Sequence, residues 1–445
     1  MWKPSLSTAL ARAFLAGEPT LEQLTARATE ALGKRWRWLR PLAQRYLKAF
    51  AGPSRPRQHD VVEFLLRDKG FLRAWLKYSG EVALRKRWAR SSGMQPVAAA
   101  ANWPVPAIES VPDLADWLGL YPGELEWFAD LRGLEYHRKT PQILRNYRYR
   151  ALTKLSGSIR LIEAPKPRLK EIQRQILTRI LEKIPTHPAA HGFVKGRSIK
   201  TFVAPHVGQR VVLRMDLRDF FPSIPRARIQ ALFRTVGYPE PVADRLGGIC
   251  TNAAPQDAWK HPGLDVDPQQ LREARALYAR PHLPQGAPTS PALANLCAFR
   301  VDCRLSGLAK AVGAQYTRYA DDLAFSGGDD FDRRVERFSI HVAAILHEEG
   351  FHVHHRKTRI MRQGVRQHLA GLVANERVNV MRPDFDRLKA ILTNCVRHGP
   401  ESQNRDAHSN FRMHLEGRVA FVESINPAKG KRLRAIFERI PWGML

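Results

Sequence analysis

The chain has 445 residues, 44% of them hydrophobic and 26% charged, which excludes disorder as the main state and is enough for two to four domains. It carries 72 Lys and Arg against 42 Asp and Glu, a formal +30, and no apolar run long enough to span a bilayer. That balance predicts a nucleic-acid partner and no membrane. The four cysteines (Cys250, Cys297, Cys303, Cys395) have no CxxC spacing, so they predict buried, reduced thiols in a cytoplasmic protein, not a disulfide framework or a zinc site.

In chain order, Leu6, Leu10, Ala13 and Phe14 predict an amphipathic helix within the first 16 residues, where Arg12 interrupts any signal-peptide core. Residues 1–90 read as a basic, all-helical extension with 19 Lys and Arg against 7 Asp and Glu. Lys34, Arg35, Arg37 and Arg40 interleave with Trp36 and Trp38, and Arg85, Lys86, Arg87 and Arg90 surround Trp88. Two uses fit this pattern: cations and aromatics facing RNA, or tryptophans anchoring a small core while the cations face water. Residues 91–112 are rich in Ala and Pro with Glu109 as the single charge, which is linker composition. Asp113 is then the expected N-cap of a helix through Leu114, Trp117 and Leu118, with a break near Tyr121–Gly123.

From about Tyr147 the pattern turns mixed. Residues 160–164 predict a strand, Leu169–Ile184 a helix with a basic face, and 211–217 a hydrophobic strand. Residues 252–282, polar with scattered prolines, predict an insertion or mobile loop. Pro291–Ala311 predicts one helix with Ser290 as N-cap, and 316–326 a strand–turn–strand.

Three carboxylates stand out. Asp216 closes the strand in RMDLRDFF, and Asp321 and Asp322 sit between β-formers in YTRYADDLAF. Clustered acids in apolar surroundings are costly without cations, and two divalent ions would both offset that cost and supply nucleotidyl-transfer chemistry. Mg2+ suits such oxygen ligands, with Mn2+ as a substitute. Asp329-Asp330 reads as a solvated turn. His352 and His354 share a strand face but have no third ligand at metal spacing.

Tyr319-Ala320-Asp321-Asp322, Asp216 with Phe220-Phe221, and the segment Leu283–Pro291 between them resemble, in order and spacing, the motifs of reverse transcriptases, most closely those of bacterial retrons. The resemblance covers roughly residues 145–445. It implies an α+β right-hand polymerase fold, with fingers and palm over 113–380 and a helical thumb over 381–445. It implies an RNA-directed DNA polymerase with Asp216, Asp321 and Asp322 as metal ligands and Lys357 as proton donor. Lys154 and Arg160 would hold the triphosphate, Phe221 would exclude a ribose 2′-OH, and Gln285 would contact the nucleotide. Gly371 would lie at the primer grip. Arg168, Lys170 and Arg174, and in the thumb Lys429, Lys431, Arg432 and Arg434, would bind nucleic acid. The implied partners are a structured non-coding RNA as template and primer, its RNA–DNA hybrid, dNTPs and a retron effector protein, in antiphage defence. The chain departs from the retron pattern where only His206 remains of the Asn-Ala-x-x-His motif, and where Val-Thr-Gly reads Leu369-Ala370-Gly371. Rival readings are another bacterial defence or abortive-infection reverse transcriptase, a group II intron-type enzyme, or a catalytically idle RNA-binding protein.

Overall fold

The computed structural model describes residues 3–51, 56–86, 93–136, 141–153, 159–260 and 267–442. The chain divides into two compact units, each built from two stretches: Met1–Pro185 with Phe221–Cys297, and Thr186–Phe220 with Ala298–Leu445. No helix among the described residues is long and apolar enough to cross a membrane.

The first unit begins with five helices, Lys3–Leu15, Leu21–Leu32, Leu39–Ala49, Gln58–Arg67 and Lys69–Tyr78. Their apolar stripes meet in one core containing Leu6, Leu10, Phe14, Leu24, Leu42, Tyr46, Leu65 and Phe71. Local signals set their ends. Thr20 caps Gln23 N, Gly33 stops the second helix at φ +67°, and Asp68 caps Phe71 N while pairing with Arg45. Trp36 lies in this core and packs at a tilt on Tyr78, so the anchoring use of that tryptophan is the one realised; Trp88 lies outside the described residues. In the Ala/Pro-rich segment, Gln95 and Val97 donate to the backbone of Gly237 and Thr235, so the segment is packed along its course. The next helix, Val111–Leu118, is capped by Ser110 and not by Asp113. The Ser110 hydroxyl accepts from Asp113 N, and Pro112 fits the first turn, where its missing N–H costs nothing.

Strands β1 (Tyr147–Thr153) and β2 (Ile159–Pro165) form an antiparallel ribbon, followed by a helix over Pro167–Arg179. The expected extension of that helix to Ile184 fails at Ile180, and a 3-10 turn follows. The described parts of residues 252–282 are not a loop. They form a 3-10 turn (Gln256–Trp259) and a helix (Pro268–Tyr278), because Trp259 and Tyr278 bury against Ile159 and Leu161. The expected helix from Pro291 to Ala311 is two, Ser290–Cys297 and Phe299–Ala311, broken at Ala298 where ψ is −1°. Ser290 is inside the first of these, and its hydroxyl donates to Pro284 O.

The second unit holds a four-stranded antiparallel sheet of β3 (Val211–Asp216), β4 (Gln315–Tyr319), β5 (Asp322–Gly327) and β6 (Arg359–Arg362), in the order β4-β5-β3-β6. Strands β7 (His368–Leu369), β8 (Leu372–Val373) and β9 (Asn379–Val380) make a small second sheet. Three helices, Arg382–His398, Phe411–Ile425 and Pro427–Phe437, close the chain. Their Leu388, Leu392, Leu415, Val419 and Leu433 share a core with Phe202, Val212 and Leu372. Asp329-Asp330 is exposed, on a short helix. Of the four cysteines, three are buried; Cys303 is exposed, because it lies on the outer side of its helix.

Candidate active site

Strand β3 is a central strand, and its apolar residues Val211, Val212 and Leu213 are buried between β5 and β6. It ends at Asp216, which is only 4% exposed and stands directly opposite Asp322 in the β3–β5 register. The backbone around it is fixed by Leu217 N donating to Asp321 O (2.9 Å) and His354 N donating to Asp216 O (2.7 Å). Asp321 lies in the two-residue turn between β4 and β5.

That turn carries strain, since Ala320 has φ +54°, a conformation that non-glycine residues rarely adopt. Its neighbours hold it there. Arg318 N donates to Ala189 O and His191 N to Arg318 O, both at 2.7 Å, so residues 189–191 run beside β4. Gly192 then presses on the turn so closely that a Cβ would lie 2.6 Å from Ala320 N. Below it Arg318, fully buried, donates to Ala320 O (3.1 Å) and forks onto Asp302 with bonds of 2.8 and 2.6 Å. A planar guanidinium suits this task, because one side chain can serve a carboxylate and a carbonyl together.

Two cations meet the acids. Lys357 Nζ lies 3.0 Å from each oxygen of Asp216, and Arg214 donates to Asp322 Oδ1 from Nε (3.0 Å) and Nη2 (2.8 Å). Burial, and then the negative charge of Asp216, pushes the Asp321 carboxyl above its usual range. Burial also raises Asp322, against the opposing pull of Arg214. A cation at this edge would relieve that repulsion. Among the described residues no three His, Cys, Asp or Glu side chains converge as a ready-made cage. Mg2+ needs none: one or two carboxylates with substrate phosphates and water suffice, and the oxygen donors present fit it.

A family model described as reverse transcriptase (RNA-dependent DNA polymerase) matches residues 152–381, a span that contains Asp216, Asp321, Asp322 and Lys357. The chain is also 41% identical over 336 residues to the Retron Mx65 reverse transcriptase of Myxococcus xanthus, covering 76% of this chain and 73% of that protein. It belongs to the retron-type reverse transcriptases. Identity to the Retron Mx162 reverse transcriptase of the same organism is 37%, over 74% of this chain and 66% of the relative. With the Retron Ec86 reverse transcriptase of Escherichia coli it is 30%, over 62% and 74%. The chain is therefore an RNA-directed DNA polymerase, and its mixed helix-and-sheet structure is of the right-hand polymerase class.

The other residues singled out in this reverse transcriptase are distributed as follows. Phe221 and Gln285 belong to the first unit and are both half-buried. Gln285 is held through its backbone, whose carbonyl accepts from Glu163 N (2.9 Å). Next to it Gly286 has φ +135°, and a Cβ there would meet Glu163 O at 2.9 Å. Arg160 is exposed on β2, and Lys154 lies outside the described residues. Lys170 and Arg174 line a basic groove of 430 Å³ with Arg148 and Lys166, while Arg168 reaches Gly119 O (3.0 Å). Gly371, with φ +81°, follows Ala370 at φ +45° in the tight turn between β7 and β8. In the last helix Lys431 and Arg432 are exposed, and Lys429 lies over the Phe385 ring. Arg434 instead forks onto Glu423 (3.0 and 2.6 Å), which ties two helices together. His352 is exposed and His354 half-buried; their backbones bond Arg218 N and Asp216 O.

Sequence reasoning missed several residues that the structure brings to these places. Arg214 was visible, two positions before Asp216 and so on the same strand face. The Arg318–Asp302 pair, Gly192, and the buried trio Glu163, His282 and Asn252 left no local signal, because their partners are far apart in the chain.

Proposed function

We propose that this reverse transcriptase copies part of a structured non-coding RNA into single-stranded DNA, the retron msDNA reaction, in the cytoplasm and in antiphage defence with an effector protein. The observation that carries the reading is the pair Asp216 and Asp321, brought to one sheet edge beside Lys357. These carboxylates, with Asp322 behind them on Arg214, would hold two Mg2+ ions; Mn2+ would substitute. Bound there, the metals would supply activation of the primer hydroxyl and stabilisation of the leaving pyrophosphate. Asp216 and Asp321 orient the site through their fixed backbones. The Lys357 ammonium stands at the same edge with a proton that can pass to the departing polyphosphate. Phe221 would select dNTPs, Gln285 would contact the incoming nucleotide, and Lys154 and Arg160 would grip the triphosphate. Lys170 and Arg174, Gly371, and Lys431 and Arg432 would follow the RNA–DNA hybrid.

The test is to purify the protein from its native locus and sequence the nucleic acid that accompanies it, with and without RNase. A short DNA of one sequence, covalently joined to a structured RNA, is the expected result. RNA with no attached DNA, from an enzyme that still extends an RNA-templated primer, would refute msDNA synthesis. Asp321→Ala is expected to abolish extension while RNA binding stays within about two-fold of wild type, because the acid adds no favourable contact to phosphate. Full activity of that variant would remove the carboxylate assignment.

A further inference from the structure

In the N-terminal helices four acids and two tryptophans are engaged within the module. Asp68 pairs with Arg45, Glu63 with Arg67 and Glu30 with Lys86, while Asp60 accepts from Arg57 N. Trp36 packs at a tilt on Tyr78 (5.1 Å) and Trp38 on Phe71 (5.9 Å). These two ring contacts also pin the loop 33–38 against the helix Lys69–Tyr78. Through the Trp36–Tyr78 contact the cations at the junction of the two elements, Lys34 and Lys77, are brought near each other. Lys34 lies over Trp36 (4.5 Å) and Lys77 over Tyr78 (5.3 Å), with Arg35 and Arg37 beside the first. Lys69, Arg73 and Lys77 follow at four-residue spacing along one side of their helix. All six side chains are exposed, and none forms an ion pair with a carboxylate among the described residues.

We propose that this face is an RNA-binding surface, separate from the polymerase site, that holds the phosphate backbone of a double-stranded RNA stem by charge alone. It deepens the reading above by saying where a structured RNA is held. Six exposed cations without a carboxylate partner, on two elements that touch, attract a polyanion, and displaced counterions drive the association. Single-stranded RNA is the poorer fit, because its recognition relies on aromatic faces for base stacking, and here those faces are covered by Tyr78 and Phe71. A duplex stem offers phosphates at regular spacing and asks for no stacking. A lipid surface is the poorer fit too, since the large apolar side chains of these helices are turned inward, Leu76 apart.

The test is the five-fold variant K34Q/R35Q/R37Q/R73Q/K77Q in the full chain. Its binding is measured to a blunt RNA hairpin that has neither a primer end nor a single-stranded template. The slope of log K against log salt is expected to flatten by about 4, from roughly 0.9 per lost phosphate contact, with affinity falling at least ten-fold near 0.15 M salt. Two hairpins of scrambled stem sequence should lose equally. An unchanged slope overturns the proposal, as does a loss confined to single-stranded RNA or to anionic vesicles. If the five-fold variant melts early, the pairs K34Q/R35Q and R73Q/K77Q are each expected to flatten the slope by nearly 2. Primer extension with dNTPs is measured alongside on a short primer–template. A wild-type chain that binds the hairpin but extends nothing would refute the polymerase reading and leave the surface standing.

Discussion

At the scale of single residues, the site is an acid cluster kept in place by arginines. Arg318 is the most consequential, because it neutralises Asp302 in a dry interior and holds the carbonyl of the strained Ala320. Arg318→Met leaves a buried carboxylate unpaired, at a cost of about 3–5 kcal/mol. The milder Arg318→Lys keeps the charge but cannot fork. It is expected to lower kcat at least ten-fold with KM for dNTP nearly unchanged, which steady-state extension kinetics would read. Gly192→Ala should do the same by pushing on Ala320 N, and with a lowered melting temperature, because the atoms it meets are backbone and must shift. Equal activity in both variants would separate the turn from catalysis. The aspartates themselves were legible, since YADD and RMD put acids where apolar strands end. Their supports were not. Arg318 sits two residues before the turn, yet its partner Asp302 is on another element, and nothing in the sequence says that the two meet.

At the scale of elements, the ribbon β1–β2 and the segment 252–282 depend on each other. Glu163, fully buried, accepts from Asn252 Nδ2 (2.8 Å) and bonds His282 Nε2 (2.8 Å), and its own N–H reaches Gln285 O. Burial alone would lower the His282 pKa, but the charge and hydrogen bond of Glu163, with Arg280 O behind, raise it. A raised value means stability that is complete below the unfolded value near 6.5 and is lost as pH rises through the folded one. Once corrected for the intrinsic base catalysis of exchange, protection of the described amides in residues 252–286 is therefore expected to fall on going from neutral to alkaline pH, and His282→Gln should flatten that response. Protection that stays constant with pH after that correction would overturn the charged pairing of His282 with Glu163. The helix in this segment was illegible for a plain reason. Its apolar residues are few, and Trp259 and Tyr278 read as isolated until Ile159 and Leu161 arrive from β2 to cover them.

At the scale of the whole molecule, one buried histidine in each unit answers pH in the opposite direction to the other. In the second unit His206 is buried between Ser326 Oγ and Thr317 Oγ1, both at 2.7 Å, and burial, with the nearby His191, pushes it down to about 3. Here the unfolded chain takes up the proton first. Stability is lost as pH falls below about 6.5, by up to about 1.4 kcal/mol per pH unit for this one group. Region-resolved exchange should thus show residues 202–217 and 315–327 loosening in acid while 252–286 hold, and the reverse in alkali. Joint loosening of both regions in acid would contradict this. The family and the broad fold were readable from charge and three motifs, whereas this division was not, since each unit is assembled from stretches that alternate along the chain.

The same alternation puts the parts of the enzyme on a timetable. The five N-terminal helices share a core drawn from residues 6–82 and can close it as soon as they leave the ribosome. Strand β3, bearing Asp216, has no partner until β5 is made, some 110 residues later, and none on its other side until β6. At ribosomal elongation rates of about 5–20 residues per second that is a wait of roughly 5–20 s. During it the nascent chain presents a folded basic module and no polymerase, so that on the proposed surface it can take hold of its RNA before it is able to copy it.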